Sequence, residues 1–529
     1  MFCRGARHYV RGRRGINRRQ VFQDIPLLIN MIRRFAEAAP GIAAWFTLLV
    51  LVLFSWKLPV WVVFFIVLYD LFWFLKIVYL SFYLRYSFNK MRKYMKIDWS
   101  AKLAKEKGEE SKKIKHLIIL PALHEPYETV FRCLDNLSRM RYRLKDMFVV
   151  LALEERGGSK DMEVGEKIEE KFGDTFGKFL ITMHPDKIPG ELAGKGANDT
   201  WAAKQAVGKI IDTGAIPREN VIVSTFDIDT IPGHEYFSLL TYKFLTVQKP
   251  ERSSYQPIPV YTNNFYNVPV FARLVGFSGM FWQIMQQGRP EQNVTFSSHS
   301  MPLQALIEVG YWNRGIVSED SRIFFQCLLH YGGDWKVEPL FYPVYMDAVE
   351  GTGFWNALRN LYRQQRRWAW GVENLGYIAE EFTKKTDKKP VPLRQKLFWL
   401  WHNFEGKYSW ATSSFVIFFF GWLPNILGGD AFQMTIFSYN LPEFTGNIIR
   451  VATIGIASSA FLSMFFIPGR SGGVSKKQRL LYLLQWALTP LTLMAFSGAP
   501  ALDALTRTVL GGKYRLGFWK TPKSVNAVE

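Results

Sequence analysis

Apolar residues gather toward the two ends of this chain and alternate with polar ones through its middle. Residues 43–56 and 58–84 are almost wholly apolar and are separated by Lys57-Leu58-Pro59. A helix needs roughly 20 apolar residues to cross a bilayer. The pair therefore reads as a transmembrane hairpin over 40–85, the first member reaching length when Gly41 and Ile42 are included. Just before it, Ile25, Leu28, Ile29, Ile32 and Phe35 recur at helical spacing against Arg33 and Arg34. That pattern suits an interfacial amphipathic helix and equally a plain cytosolic one. Residues 409–427, 448–468 and 480–496 are further apolar runs, the last broken by Pro490 and followed by Ser497-Gly498-Ala499-Pro500.

Between the two apolar ends, residues 114–120, 147–153, 179–183 and 221–226 are short apolar runs, expected as buried strands. Helical patterns fall between them, for instance at 127–140 and 198–211. Such alternation predicts an α/β domain with a mostly parallel sheet and ligands at the carboxyl ends of its strands. A Trp- and Arg-rich amphipathic stretch follows Gly351, and a basic linker over 384–396 leads into the C-terminal half.

Charge sets an orientation. The 529 residues carry a formal net charge of +21. Seven arginines precede residue 20, and a lysine- and arginine-rich stretch over 85–115 follows the hairpin. By the positive-inside rule both segments are cytosolic. The first apolar run starts too late for a secretory signal. Five crossings would leave the basic tail (Arg507, Lys513, Arg515, Lys520, Lys523) outside. The charge argues for inside, so one C-terminal segment is expected not to cross singly. Either the broken run near 480–508 folds back or residues 428–447 re-enter, as irregular backbone is tolerated when buried in protein. No nucleic-acid motif accompanies the charge, which excludes that class. Cys3, Cys133 and Cys327 lie too far apart for a disulfide framework or a cysteine zinc site. Asn198-Asp199-Thr200 and Asn293-Val294-Thr295 match a glycosylation pattern that is accidental in a cytosolic domain. Asp70 and Lys76 lie inside the second apolar run, and such residues face protein or a polar cavity.

Three segments carry candidate chemistry. In Phe226-Asp227-Ile228-Asp229, two carboxylates one residue apart close a strand, where they can reach a divalent cation and a diphosphate together. A solvated turn is the bland alternative. In Ser318-Glu319-Asp320 a carboxylate beside such a site can serve as general base, or Ser318 simply caps a helix. In Gln364-Gln365-Arg366-Arg367-Trp368, Gln364 and Arg367 share one helical face. Arginine suits a diphosphate and an indole suits a sugar ring. An interfacial basic-aromatic helix is the alternative.

Taken in this order between membrane-length runs, the segments resemble the membrane-embedded glycosyltransferases of family 2, which include the synthases of cellulose, chitin and hyaluronan. The resemblance spans roughly 110–525. It implies a GT-A (Rossmann-like) catalytic domain combined with a helical transmembrane bundle and interface helices. It also implies an inverting, Mg²⁺- or Mn²⁺-dependent transfer from a nucleotide sugar, UDP by expectation, to a glycan or lipid. The organisation expected is a basic cytosolic or interfacial segment (1–39), the hairpin (40–85), the catalytic domain (110–348), interface helices (349–405), a transmembrane region (406–508) and a cytosolic tail (509–529). The whole is a multi-pass protein of the plasma or inner membrane with its catalytic domain in the cytosol.

Residue by residue, the resemblance makes Asp229 the main metal ligand, with Asp227 contacting the donor. Asp320 is the base, beside Glu319. Pro121 and Glu125, in Pro121-Ala122-Leu123-His124-Glu125, fall at the nucleotide base, as do Glu154 and Glu155, where the family usually has Asp. Lys195 and Asn198 belong to a diphosphate loop. Gln364, Arg367 and Trp368 hold the diphosphate and the acceptor's terminal sugar. Phe296-Ser297-Ser298-His299-Ser300 falls at the acceptor segment, which makes Ser298 and His299 acceptor contacts. Phe518-Trp519-Lys520-Thr521-Pro522-Lys523 resembles the gating loop, with Thr521 and Lys523 on the donor and Lys520 where Val is usual. Processive synthesis of a β-linked polysaccharide is the leading expectation. Single-sugar transfer to a lipid is the first alternative, and a membrane scaffold or transporter with a degenerate domain, favoured only by Glu154-Glu155, is the second.

Overall fold

The computed structural model describes residues 18–384, 389–469 and 473–517. Two long helices open it, α1 (Arg18–Lys57) and α2 (Pro59–Tyr94), joined at Leu58 with Pro59 in the first turn of α2. Proline is tolerated there because that N–H has no intrahelical partner. After α3 (Trp99–Lys113) the chain runs β1 (Lys115–Pro121), α4 (Tyr127–Ser138), β2 (Met147–Glu154), α5 (Gly158–Phe172), β3 (Lys178–His184), α6 (Lys195–Ala206) and β4 (Val221–Thr225). Then follow β5 (Ile231–Pro232), α7 (Tyr236–Thr246), β6 (Ser253–Tyr261), α8 (Val270–Gln287), β7 (His299–Pro302), α9 (Leu303–Glu308), α10 (Glu319–His330) and β8 (Lys336–Met346). The remainder is helical: α11 (Phe354–Ala369), α12 (Glu373–Thr383), α13 (Leu393–Phe418), α14 (Leu423–Leu427), α15 (Gly429–Gln433), α16 (Ile436–Ser463), α17 (Lys476–Leu484), α18 (Thr489–Leu493) and α19 (Ala499–Leu510).

The eight strands form one sheet in the order β3-β2-β1-β4-β7-β6-β8-β5. The four strands expected from the sequence are mutually parallel, with Ile119 opposite both Val150 and Thr225. The other half corrects the mostly parallel expectation. β7 runs antiparallel to β4 and β6, and β5 antiparallel to β8. His299-Ser300-Met301-Pro302 has no strand signature, and its pairing to β4 is dictated by the sheet edge it meets. One face of the sheet packs on α4, α5 and α7 through Leu134, Phe172 and Leu240. The other packs on α6, α10 and α12 through Ala203, Phe324 and Ile378. Trp399 of α13 enters that second core, with its ring 5.0 Å from Phe324 and 5.5 Å from Phe325. Helix α13 is thus anchored against the sheet domain by its own N-terminal turns.

Among the described residues, four helices are long and apolar enough to cross a membrane: Leu28–Lys57, Pro59–Tyr94, Ile436–Phe466 and Lys476–Leu510. A fifth candidate, Leu393–Phe418 with Phe420–Leu427, is bent by 47°. The fold-back expected near 480–508 is not seen. Residues 476–510 are helical throughout, with 3₁₀ and π turns at 485–488 and 494–498. They touch both the apolar helices, at Trp45 of α1 and Trp410 of α13, and elements beside the sheet. Gln485 Oε1 accepts from Arg273 Nε of α8 at 3.1 Å. Asp503 pairs with Arg366 of α11 at 2.9 Å. The Thr508 carbonyl accepts from Arg34 Nη2 of α1 at 3.1 Å.

Candidate active site

Parallel strands β2, β1 and β4 end side by side, which brings Glu154, Pro121 and Asp227 to one edge of the sheet. They border a cavity of about 1270 Å³. It also takes in Glu125, Lys195, Asp229, Glu319, Asp320, Gln364, Arg367 and Trp368. Segments spread over some 250 residues of chain therefore meet at one place. The cavity does not stop at the sheet. It continues between α2, α13 and α16, past Lys76, Glu405, Ser409 and Ile454.

The Asp227 carboxylate receives Lys195 Nζ on Oδ1 at 2.6 Å and Ser297 Oγ on Oδ2 at 2.7 Å. Asp229, only 3% exposed, accepts from the backbone N–H of Asp347 at 3.2 Å, and its carbonyl accepts from Asn263 Nδ2 at 3.0 Å. Lys195 opens α6, and Gly196 follows because nothing larger fits. A Cβ there would stand 2.7 Å from the Asn313 carbonyl oxygen and 2.9 Å from Glu319 Cβ. Burial opposes the Lys195 ammonium, but the carboxylates of Asp227, Asp199 and Glu319 outweigh it and hold the lysine charged.

Asp320 is fixed from two sides. Oδ1 accepts from its neighbour Ser321 N–H at 2.7 Å and Oδ2 from Ser297 N–H at 2.8 Å. Glu319 is buried, and burial followed by the adjacent Asp320 charge raises its pKa. The capping reading of Ser318 is corrected. Its hydroxyl caps nothing and donates instead to Glu373 at 2.9 Å. Gln364, Arg367 and Trp368 lie along α11, and the Trp368 indole is flanked by Tyr261 at 6.1 Å and Phe296 at 5.7 Å.

The other expected residues divide between the cavity and the core. Glu154 borders it, held by Arg156 at 2.6 and 3.1 Å, whereas Glu155 turns outward and accepts from the Asp186 N–H at 2.9 Å. Asn198 is buried behind α6, and its Nδ2 donates to the Ala152 carbonyl at 2.8 Å, tying helix to strand. Ser298 Oγ meets Thr230 Oγ1 at 3.1 Å. His299, 1% exposed, sits in β7 with Nδ1 on the Ser297 carbonyl at 3.1 Å, and its Nε2 accepts from Trp312 Nε1 at 3.3 Å. Those partners fix the neutral Nδ1–H tautomer, and burial depresses its pKa to about 3. Ser298 and His299, expected as acceptor contacts, therefore do not line the cavity, whereas their neighbours Phe296 and Ser297 do. The backbone turns at Ser297, with φ of +48°, just before β7 begins, and no sequence pattern marks that turn. Thr521 and Lys523 lie outside the described residues. Asn198 and Asn293 of the two glycosylation patterns are both buried.

Sequence reasoning missed Tyr261, Ser297 and Lys407. Lys407 comes from α13 to the cavity wall beside Gly371. Tyr261 ends a strand and Ser297 has φ of +48°, but neither feature is visible without the fold.

The strand ends of the sheet, helix α6 and helix α11 thus converge on carboxylates, a lysine and an aromatic pocket. Residues 222–496, more than half of the chain, match the family model described as glycosyl transferase family group 2, and the chain belongs to that family. It is a glycosyltransferase. Among solved structures it is similar to the mannosyltransferase from Pyrobaculum calidifontis in complex with GDP-Man and Mn²⁺, at 12% identity and a TM-score of 0.37 over 78% of this chain and 97% of that one. It is also similar to S. aureus TarS 1–349 in complex with UDP-GlcNAc, at 13% identity and a TM-score of 0.34 over 75% and 91%. No curated protein matches the chain.

Proposed function

We propose that this protein is an inverting, membrane-embedded polysaccharide synthase that draws on a nucleoside diphosphate sugar. The observation that carries the proposal is the single cavity running from Asp227, Asp229 and Asp320 into the space between α2, α13 and α16. An acceptor elongated at the sheet edge has a way onward into the membrane helices. Asp320 removes the proton from the acceptor hydroxyl, whose oxygen forms the new bond to the anomeric carbon as the diphosphate leaves from the opposite face. An α-linked donor then gives a β-linked product. Lys195 and Arg367 neutralise the leaving group, and Trp368 stacks on the acceptor's terminal sugar.

The paired hard oxygens of Asp227 and Asp229 fit Mg²⁺ or Mn²⁺, which use one or two carboxylates plus substrate phosphates. No cluster of three His, Cys, Asp or Glu side chains competes for that role among the described residues. When bound there, the ion supplies further charge neutralisation to the leaving diphosphate. Glu125 and Glu154 are assigned to the nucleotide end of the donor.

We read 476–510, tied to α8, α11 and Arg34 of α1 and packed on Trp45 of α1 and Trp410 of α13, as a segment that does not cross singly. The crossings are then α1, α2, the bent α13–α14 and α16. An even number puts both chain ends on the side of the catalytic domain, in agreement with their positive charge. A second reading, transfer of one sugar to a lipid, is favoured by the aliphatic wall that Ile448, Val451 and Ile454 of α16 give the cavity. Product analysis separates the two. Purified protein in nanodiscs, given a panel of nucleotide sugars with Mn²⁺ or Mg²⁺, is expected to yield a ladder of oligosaccharides by mass spectrometry, absent for Asp320→Asn. A single sugar on lipid overturns the polymer reading, and no transfer with any donor overturns both.

A further inference from the structure

Helix α10 opens with Glu319 and Asp320, and Ser318 does not cap it, because its Oγ donates across to Glu373 Oε1 of α12 at 2.9 Å. The next fastening is Ser321. Its N–H donates to Asp320 Oδ1 at 2.7 Å, and its hydroxyl donates to the Ser318 carbonyl at 3.2 Å. That hydroxyl also accepts from Asn374 Nδ2 of α12 at 2.9 Å. Asn374 is 3% exposed, and its amide has one orientation open to it. Oδ1 accepts from Arg322 Nε at 2.6 Å, and a guanidinium only donates, so the NH₂ group must face Ser321. Arg322, itself 2% exposed, completes the frame. Its Nη2 donates to the Glu373 carbonyl at 3.1 Å, and its guanidinium lies 4.0 Å from the centre of the Tyr377 ring.

Apolar packing already holds α10 in the domain, through Ile323, Phe324 and Phe325 in the sheet core. A buried arginine and a buried amide add a desolvation penalty that apolar residues would avoid. What the polar frame secures is local: a first turn without its own cap, at the end of a helix where fraying starts. Asp320, Ser321 and Asn374 all border the cavity. A general base works within about 2.6–3.2 Å of the atom whose proton it takes, and a misplacement of about 1 Å lowers the rate about 10²-fold. Helix α12 is itself seated on α1. A Cβ on Gly376 would stand 2.4 Å from Glu37 Cγ, and Arg33 Nη1 lies 3.5 Å from Glu380 Oε2. Through α12, the base-bearing turn is referenced to the first apolar helix.

We propose that Asn374, oriented by Arg322, is a positioning residue for Asp320. It acts through Ser321 and holds the first turn of α10 where the base meets the acceptor hydroxyl. This rests on the base role given to Asp320 in the function proposed above. The effect falls on proton transfer, and donor capture is left to Lys195 and Arg367.

The test uses the full chain in nanodiscs with Mn²⁺. Kinetics are followed with whichever of UDP-glucose, UDP-N-acetylglucosamine and GDP-mannose gives most product. Asn374→Ala is expected to lower kcat by about 10²-fold and to leave the donor KM within about twofold of wild type. Ser321→Ala is expected to lose about the same factor, and Ser321→Thr, which keeps the hydroxyl, to retain most of the rate. The double variant Asn374→Ala/Ser321→Ala is expected to be no slower than the slower single one, because both changes break one link. Thermal unfolding of the same samples identifies the folded variants. A folded Asn374→Ala with kcat within about threefold of wild type, a loss confined to KM, or losses that multiply in the double variant each overturn the positioning role. An inactive Asp320→Asn alongside them still upholds the base. Should Asn374→Ala not fold, equal rates for Ser321→Ala and Ser321→Thr overturn the role by themselves. Wild-type turnover in Asp320→Asn, or no transfer by the wild type from any of the three donors, overturns both.

Discussion

Lys195 Nζ stands 2.6 Å from Asp227 Oδ1, so the charge that opens helix α6 is spent on the strand-end carboxylate. A donor diphosphate entering here meets an ammonium already positioned and held charged by its carboxylate neighbours. Lys195→Ala is expected to lower kcat/KM for the nucleotide sugar by about 10²–10³-fold, the scale of one preorganised electrostatic donor. Initial-rate kinetics over donor concentration check it, and a loss below threefold removes Lys195 from donor binding.

Asp320 has both oxygens pinned by backbone N–H groups, one from α10 and one from Ser297. Asp320→Asn keeps the size and removes the basicity. Turnover is expected to fall by about 10²–10⁴-fold, the usual contribution of a general base, while donor affinity measured by calorimetry stays within twofold. Wild-type turnover in the variant would take the base role away from this residue.

Chelation offers a separate test of the carboxylate pair. With EDTA in excess, transfer is expected to stop and to return on adding Mn²⁺ or Mg²⁺. Asp229→Ala is expected to need a metal concentration at least about tenfold higher, since one of only two carboxylate ligands is gone. Full activity in EDTA would assign the diphosphate to Lys195 and Arg367 alone.

Gly196 touches the backbone of Asn313 and the side chain of Glu319 so closely that a methyl group has no room. Gly196→Ala is expected to cost about 1–3 kcal/mol of stability, as overpacking does, and to lower activity by displacing Lys195. Thermal unfolding in detergent and donor kinetics read the two effects.

Acid should weaken the catalytic domain through its buried histidines. His116 and His299 are both depressed by burial from 6.5 to about 3. The unfolded chain takes up their protons below pH 6.5, and the folded chain does so only near 3. The stability they contribute is therefore present above pH 6.5 and lost as pH falls toward 3, with a slope of one proton per histidine. Asp199, raised by burial to about 7, acts in the opposite direction and weakens the fold as pH rises from about 4 to 7. His299→Gln is expected to flatten the acid limb of Tm against pH between 6.5 and 3. An unchanged slope would mean that His299 is protonated in the folded protein.

The sequence determined what is local. Apolar runs over 114–120, 147–153, 179–183 and 221–226 had only one way to be buried, and they became β1 to β4 within a residue or two at each end. The long apolar segments and the amphipathic stretch of Gln364, Arg367 and Trp368 were equally legible, because helical period and length are properties of the chain itself. Tertiary structure decided everything that depends on which face a residue presents and on what it meets. Ser297, whose φ of +48° turns the backbone, reached the cavity while Ser298 and His299 turned into the core. Glu154 ends β2 at the site, and Glu155, one step further along the backbone, points away from it. What the run 476–510 packs on, Arg34 and Trp45 of α1, Arg273 of α8, Arg366 of α11 and Trp410 of α13, was likewise invisible in the chain. Asp70 and Lys76 were expected to face protein or a polar cavity, and the packing of α2 against α13 and α16 set which: both line the cavity, with Lys76 paired to Glu405.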